Sequence, residues 1–434
     1  MTKHVRWLKQ EVAQWRAEGL VDDAFAQRIL ARYPDTPERG WGRIVFSAIG
    51  AVLVGLGVIL FFAYNWQDMP KAAKLALVFG AVVAAHGSAM ALARRADPNR
   101  ALVEGLHALG TMLFGAGIWL VAQIYHIDEH YPNAFLVWSL GALALAWALP
   151  SLVHALLALF LVSFWAGLET MQFQTPMHGA PLLVVVGVLP LAWWRRSPAL
   201  LFCALAVLFV VTAFAVGWID SKALISVLFV MGAAAVIAGA CAPATAFPAA
   251  EGPLRMVGLL VALGCGFALS FPGLVGVLWQ MNLAKPALMI YLGAAGAALL
   301  GALVVAAVLF NRDGLAHLDS YQRWQLTLLG LGLAIVLGCM FSRSRIDGWA
   351  IALPFNAIVL GLAALLILEG SRHLQPLRVG VGCLIFALIA VSRYTDLFSS
   401  LLVRAAVFVA LGGGLFFVGS FYARQRRLSQ QERT

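Results

Sequence analysis

From Ile44 to Tyr422 the chain is apolar almost without relief, interrupted only by short polar stretches. Apolar runs of this length read as membrane-crossing helices, since a bilayer crossing needs about twenty residues. Dividing the sequence at its polar breaks gives about fourteen spans, twelve to fourteen, each near that length. The first covers 44–64 and the last 400–422. The expected fold is therefore all-α, a polytopic membrane helical bundle whose partner is the lipid bilayer. Three segments, the pair divided at Pro150 and the one ending at Trp194, are short enough to be tilted half-helices.

Charge then orients the chain. Only 12% of residues are charged, about half the share usual in a soluble domain. The net charge of +10 does not point to nucleic acid. Its basic residues stand at the ends of apolar segments instead of covering one soluble face, so they read as topology signals. With the N-terminus inside, about 22 of the 30 Lys and Arg fall on the inner side. Both termini are then cytoplasmic. Met1–Gly40 is hydrophilic and lacks the short apolar core of a cleavable signal peptide, so the first span is expected to serve as its own signal anchor.

Three regions follow: residues 1–42, residues 43–422 as the membrane domain, and the basic tail 423–434. The first reads as a small cytoplasmic helical hairpin. Val5, Leu8, Val12 and Trp15 line one face of its first helix, and Phe25, Ile29 and Leu30 line the second, with a stop at Gly19 and an end at Pro34. It is either a cap or a docking site for a protein partner or anionic lipid.

Five cysteines, Cys203, Cys241, Cys265, Cys339 and Cys383, fall in or at the ends of apolar segments without a CxxC pair, and read as small hydrophobes. No metal site or cofactor is expected. The loop His126–His130 carries two imidazoles four apart, but no further ligands are identifiable.

Small residues at helical spacing, Ser47, Ala51 and Gly55 on one span and Thr111 and Gly115 on another, mark seams where backbones can approach. The glycine spacing that begins at Gly50 repeats from Gly110, which admits a parallel repeat of hairpins. Ionisable residues are scarce in mid-span, which argues against a proton-coupled pump. Glu104 and His107 share a helix face near Arg100 and read as an interfacial pair. Pro272 with Gly273, and Pro354 beside Asn356, interrupt apolar segments towards their outer ends, either as plain kinks or as broken helices lining a site.

The outer ends collect Asn65, Trp66, Gln123, Arg343, Arg345, Arg393, Tyr394 and Arg404, with Asp68 and Asp396 nearby. Arginines placed against the charge bias suggest either an anion to bind or carboxylates to pair with, such as Asp347 for Arg345 and Asp396 for Arg393.

Four blocks, EGLVDDAFAQRILARY, GLGVILFFAYNW, LFGAGIWLVAQIYHIDEHYPNAFLVW and SRYTDLFSSLLVRAAVFVALGGGLFF, resemble domain-of-unknown-function family 2157, predicted bacterial membrane proteins. The resemblance spans the first third and the last tenth of the chain. It implies a multi-pass inner-membrane protein and brings no activity, substrate or catalytic residue with it.

The expected function is binding or moving an anionic or lipid-linked solute at the periplasmic side, with Arg343, Arg345, Arg393, Tyr394, Arg404, Asn65, Trp66 and Gln123 as ligand-binding residues. The alternative is a scaffold or complex subunit that contacts other proteins through residues 1–42. No catalytic residue is expected, because no nucleophile with a base, metal cluster or phosphate loop can be assembled from the loops.

Overall fold

The computed structural model describes residues 3–32, 69–127, 130–149, 151–175, 177–313, 318–342 and 346–397, with scattered positions between 409 and 420. The described residues are helical and contain no strand. They divide into two units, Met1–Val78 and Phe79–Thr434.

In the first unit α1 (Lys3–Ala17) and α2 (Asp23–Arg32) form the expected hairpin. Gly19 turns the chain at φ +72°, a left-handed conformation that side chains resist. The Asp22 carboxylate then accepts from the Phe25 amide at 2.6 Å to start α2, and Arg16 pairs with Asp23 across the turn. The buried contacts are Val12 and Ala26. Phe25, expected on the inner face, is instead exposed, as are Trp7 and Leu20. A ten-residue helix starting at Asp23 turns its Ala26 to α1, and position 25 lies about 100° away.

Twelve apolar helices follow: α3 (Lys71–Ala93), α4 (Arg100–Tyr125), α5 (Pro132–Ala148), α6 (Leu152–Met171), α7 (Gly179–Trp194), α8 (Pro198–Asp220), α9 (Leu224–Cys241), α10 (Glu251–Leu269), α11 (Pro286–Asp313), α12 (Ser320–Phe341), α13 (Gly348–Arg372) and α14 (Pro376–Leu397). Ten are long and apolar enough to cross a membrane, and α5 and α7 are shorter. Each coincides with an expected span. The spans placed at 44–64 and 400–422 lie outside the described residues, as do Ser47, Ala51, Gly55 and the repeat beginning at Gly50. In α7 a π turn over Val184–Val188 leads into Pro190, whose missing amide loosens the helical ladder. There the Gly187 carbonyl accepts from the Trp147 indole at 2.8 Å.

Alternating helices sort the connections into two ends. At one, the side chains of Asn99, Ser151, Ser197 and Asp319 cap α4, α6, α8 and α12. Arg195 donates to the Leu149 carbonyl, and Arg378 at the start of α14 pairs with Glu369 at the end of α13. This is called the Glu369 end. The Arg393 end holds His130 bonded to Glu169, and Asp220 bonded to the Asn282 amide.

The core runs through α9, packed between α10 and α11 and touching α8 and α12. Phe229 and Val236 of α9 join Leu263, Phe355 and Leu362 in one buried cluster, and a second gathers α6, α7 and α8 around Leu159, Leu191 and Val211. The α9–α10 contact is close enough to bring backbones together: a Cβ on Gly258 would lie 2.7 Å from the Gly232 carbonyl oxygen, and one on Gly232 would lie 2.9 Å from that of Gly258. This is the small-residue seam of the bundle. The seam expected at Thr111 and Gly115 is of another kind, because the Trp138 ring fills the space over Gly115 and its indole donates to the Thr111 carbonyl at 2.9 Å. Outward-facing Val83, Leu300, Val304 and Val308 present the apolar flank that lipid would cover.

Candidate functional site

The most developed polar site lies at the Glu369 end, where four helix ends meet. Glu369, one turn before the end of α13, is almost fully buried. Its Oε1 accepts from Arg378 and lies 3.9 Å from Arg255 Nη2, while its Oε2 accepts from Gln325 at 3.3 Å. Arg255 reaches further. It donates to Gln325 Oε1 at 2.7 Å and, one turn along α10, to Glu251 Oε1 at 2.8 Å. Glu251 also accepts from Gln322 at 3.0 Å.

Helix packing puts these groups in register. Gly239 of α9 leaves the room through which the Arg255 stem passes; a Cβ there would lie 2.7 Å from Arg255 Cγ. Two carboxylates and two guanidinium groups thus balance in charge. Burying Glu369 and Arg255 is tolerable only because each is paired and hydrogen-bonded.

This network forms one wall of a cavity of ≈ 810 Å³, within the size range of small-molecule sites. The other walls are apolar, from Phe202, Met256, Leu259, Leu263, Leu366 and Val381. Met256, Leu260 and Leu377 at its margin are exposed, so apolar side chains surround its opening. Of the charged groups, the side chains of Arg378 and Glu251 are the accessible ones, at 41% and 32% exposure against 5% for Glu369. One positive and one negative group therefore face the space.

The Arg393 end is built differently. Arg393 donates to the Ser270 carbonyl and hydroxyl at 2.5 and 2.8 Å and to Asn356 Oδ1 at 3.1 Å, with its guanidinium 4.3 Å from the Phe271 ring centre. Asn356 in turn donates to the Ser270 and Ala352 carbonyls. The two proline-marked sites read from the sequence therefore come together on Arg393. They differ in form: α10 ends at Leu269 and Pro272 opens a short helical turn, whereas α13 continues through Pro354 without a break.

Of the other expected ligand residues, Gln123 is exposed in the last turn of α4. Tyr394 belongs to α14, but its side chain lies outside the described residues, as do Asn65, Trp66, Arg343, Arg345 and Arg404. In the His126–His130 loop, His126 caps α4 at φ 53°, and His130 Nε2 lies 2.8 Å from both oxygens of buried Glu169. Asp128 and Glu129 lie outside the described residues. Among the described residues no cluster of three His, Cys, Asp or Glu is placed to hold a metal.

Residues 13–155 match the family DUF2157, described as predicted membrane protein. The match runs from within α1 to the first turn of α6, so the resemblance read from the sequence holds over the first third of the chain; the C-terminal block lies beyond the DUF2157 match. No curated protein and no solved structure matches the chain. The cavity lies wholly outside the DUF2157 region.

Sequence reading treated Arg255 and Arg378 as topology signals and passed over Glu369. The available clue was a carboxylate directly after the apolar run LAALLIL, where an unpaired charge is costly. Which cations meet it depends on the packing of α10, α12 and α14 around α13.

Proposed function

We propose that this multi-pass membrane protein binds an amphipathic molecule with a zwitterionic head, a phospholipid of the bilayer, in the cavity at the Glu369 end. The observation that carries this reading is an apolar cavity, its opening surrounded by apolar side chains, that meets a charge-balanced wall whose accessible members are Arg378 and Glu251. A phosphate would take the free donors of Arg378, and an ammonium the free carboxylate oxygen of Glu251. An anionic head without an amine would leave Glu251 facing like charge.

The charge bias supports the Glu369 end as cytoplasmic in a bacterial inner membrane, with both termini on that side. Of the anionic or lipid-linked solute expected from the sequence this reading keeps the lipid, and it assigns the head to the opposite end. Arg393 already serves Ser270 and Asn356, which favours a bracing role there. The scaffold reading keeps one supporting observation, the exposed apolar residues Trp7, Leu20 and Phe25 on the N-terminal hairpin.

The full chain in mild detergent is melted with added phosphatidylethanolamine, phosphatidylcholine or phosphatidylglycerol. A zwitterionic lipid should raise Tm by several degrees, through preferential binding to the folded state. Leu263→Trp, which fills the cavity, and Arg378→Gln should each remove that rise. Equal stabilisation by all three lipids, or a rise unaffected by Leu263→Trp, would overturn the assignment.

A further inference from the structure

Three histidines from three helices converge in the DUF2157 region, where the sequence had suggested only an interfacial pair of Glu104 and His107. Each of the two has a partner of its own on another helix. His86 and His107 each stand seven residues from the Glu369 end of their helices, α3 and α4, a depth of about 10 Å at 1.5 Å per residue. Antiparallel helices thereby bring them level, and their Nδ1 atoms lie 3.0 Å apart. Gly110 makes the space: a Cβ there would lie 2.6 Å from His86 Nε2. At 3.0 Å two imidazole nitrogens share one proton, one donating and the other accepting.

Glu104 turns instead to Ser151, which donates its hydroxyl proton to Glu104 Oε1 at 2.9 Å. That bond fixes the tautomer of His154. The ring is fully buried, its Nδ1 lies 2.8 Å from Ser151 Oγ, and Ser151 has no second proton to give, so His154 Nδ1 must be the donor. In the neutral ring Nε2 is then a bare lone pair. It is buried without a close hydrogen-bond partner, in a ring that also meets the His107 backbone. A buried polar atom left this way is costly unless a ligand completes it.

We propose that His154 Nε2 is a proton-binding site within the membrane domain, with Glu104 as its counter-charge and the His86–His107 pair as the neighbouring proton exchanger. The arriving proton forms an N–H bond on the Nε2 lone pair. The positive charge is met by the Glu104 carboxylate through the Ser151 hydroxyl. No covalent bond breaks. The His86–His107 contact also tolerates one added proton, because an imidazolium donor and a neutral acceptor keep the same 3.0 Å bond in charge-assisted form. Two added protons would set N–H against N–H and part the rings. A proton fits better than a metal ion, since no third ligand is placed to complete a coordination set among the described residues. The titratable groups facing His154 are His86, His107 and Glu104, from α3 and α4.

The test is nitrogen-15 NMR of the full chain in lipid nanodiscs with labelled histidine, followed from pH 8 to pH 5.5. The His154 signal, assigned by its loss in His154→Gln, should convert from a neutral ring protonated at Nδ1 to an imidazolium. In Glu104→Gln the imidazolium fraction at pH 5.5 should fall at least threefold. Should His154→Gln fail to fold, Ser151→Ala provides the second reading, because it cuts the link to Glu104 and should reduce the same signal. A His154 ring that stays neutral to pH 5.5, or that carries its lone pair on Nδ1 at pH 8, would overturn the proposal. So would an imidazolium fraction indifferent to both Glu104→Gln and Ser151→Ala.

Discussion

Gly258→Ala tests the seam between α9 and α10, and Gly264→Ala on the same helix is its internal control. The added Cβ at position 258 would stand 2.7 Å from the Gly232 carbonyl oxygen and 2.9 Å from the Ala235 Cβ. A carbon beside a carbonyl oxygen normally sits at about 3.3–3.6 Å, so the two helices must part by roughly 0.6–0.9 Å. A gap of that size forfeits about a quarter to a half of each dispersion contact along the seam. Overpacking of this kind costs about 1–3 kcal/mol. At position 264 an added Cβ meets nothing within 4 Å. Both substitutions gain the same helix propensity, about 0.8–1 kcal/mol, so that contribution cancels between them. The expected difference is therefore about 1–3 kcal/mol against Gly258→Ala, with Gly264→Ala at least as stable as the parent. Reversible unfolding of the full chain by steric trapping in bicelles would measure it. Equal stability of the two variants would refute the close backbone crossing.

Three further outcomes follow from the same physical reasoning. Glu369→Ala leaves the Arg255 and Arg378 guanidinium groups without their shared buried carboxylate, and should cost about 3–5 kcal/mol, read as a fall in Tm, whereas exposed Arg16→Ala in the N-terminal hairpin should cost under about 1 kcal/mol. Arg393→Lys replaces a fork that spans Ser270 and Asn356 with a point charge, and should lose about 1.5–3 kcal/mol; a melt equal to that of the parent would show that the bracket does not hold the bundle. Single cysteines at Arg196 and Lys222, in a background with the five native cysteines replaced, should label from opposite sides of intact cells, Lys222→Cys outside and Arg196→Cys only after permeabilisation. Labelling of both from one side would break the alternation of α8 between them.

The elements were legible because lipid leaves few options. Segments of the right length and polarity had to be helices, and the polar breaks at Asn99, Ser151, Ser197 and Asp319 carry capping residues that mark where helices begin. Site residues were less legible, since hydropathy has no term for which helices become neighbours. Arg393, Asn356 and the Pro272 break beside Ser270 were each visible as oddities, yet Arg393 and Ser270 stand more than a hundred positions apart. Glu369 and Arg255 are separated just as widely. The sequence pairs His107 with Glu104 on one helix face and does not single out His86 or His154, because only the antiparallel pairing of α3 with α4 puts two imidazoles at one depth.

The two ends of the bundle also differ in what their arginines leave undone. At the Arg393 end the guanidinium donates to a carbonyl, a hydroxyl and an amide oxygen, all neutral acceptors, and it lies over the Phe271 ring. These bonds anchor the turn after α10 against α13. Within the network at the Glu369 end two carboxylates meet two guanidinium groups, and the accessible members face an apolar cavity. A matched wall is poor at attracting a free anion over distance, because its far field cancels. It suits a ligand delivered laterally by the membrane itself, whose tail supplies the affinity and whose head needs only local pairing. This is why lipid is a better candidate than a soluble anion for the cavity, and why affinity there should depend on chain length far more than on ionic strength.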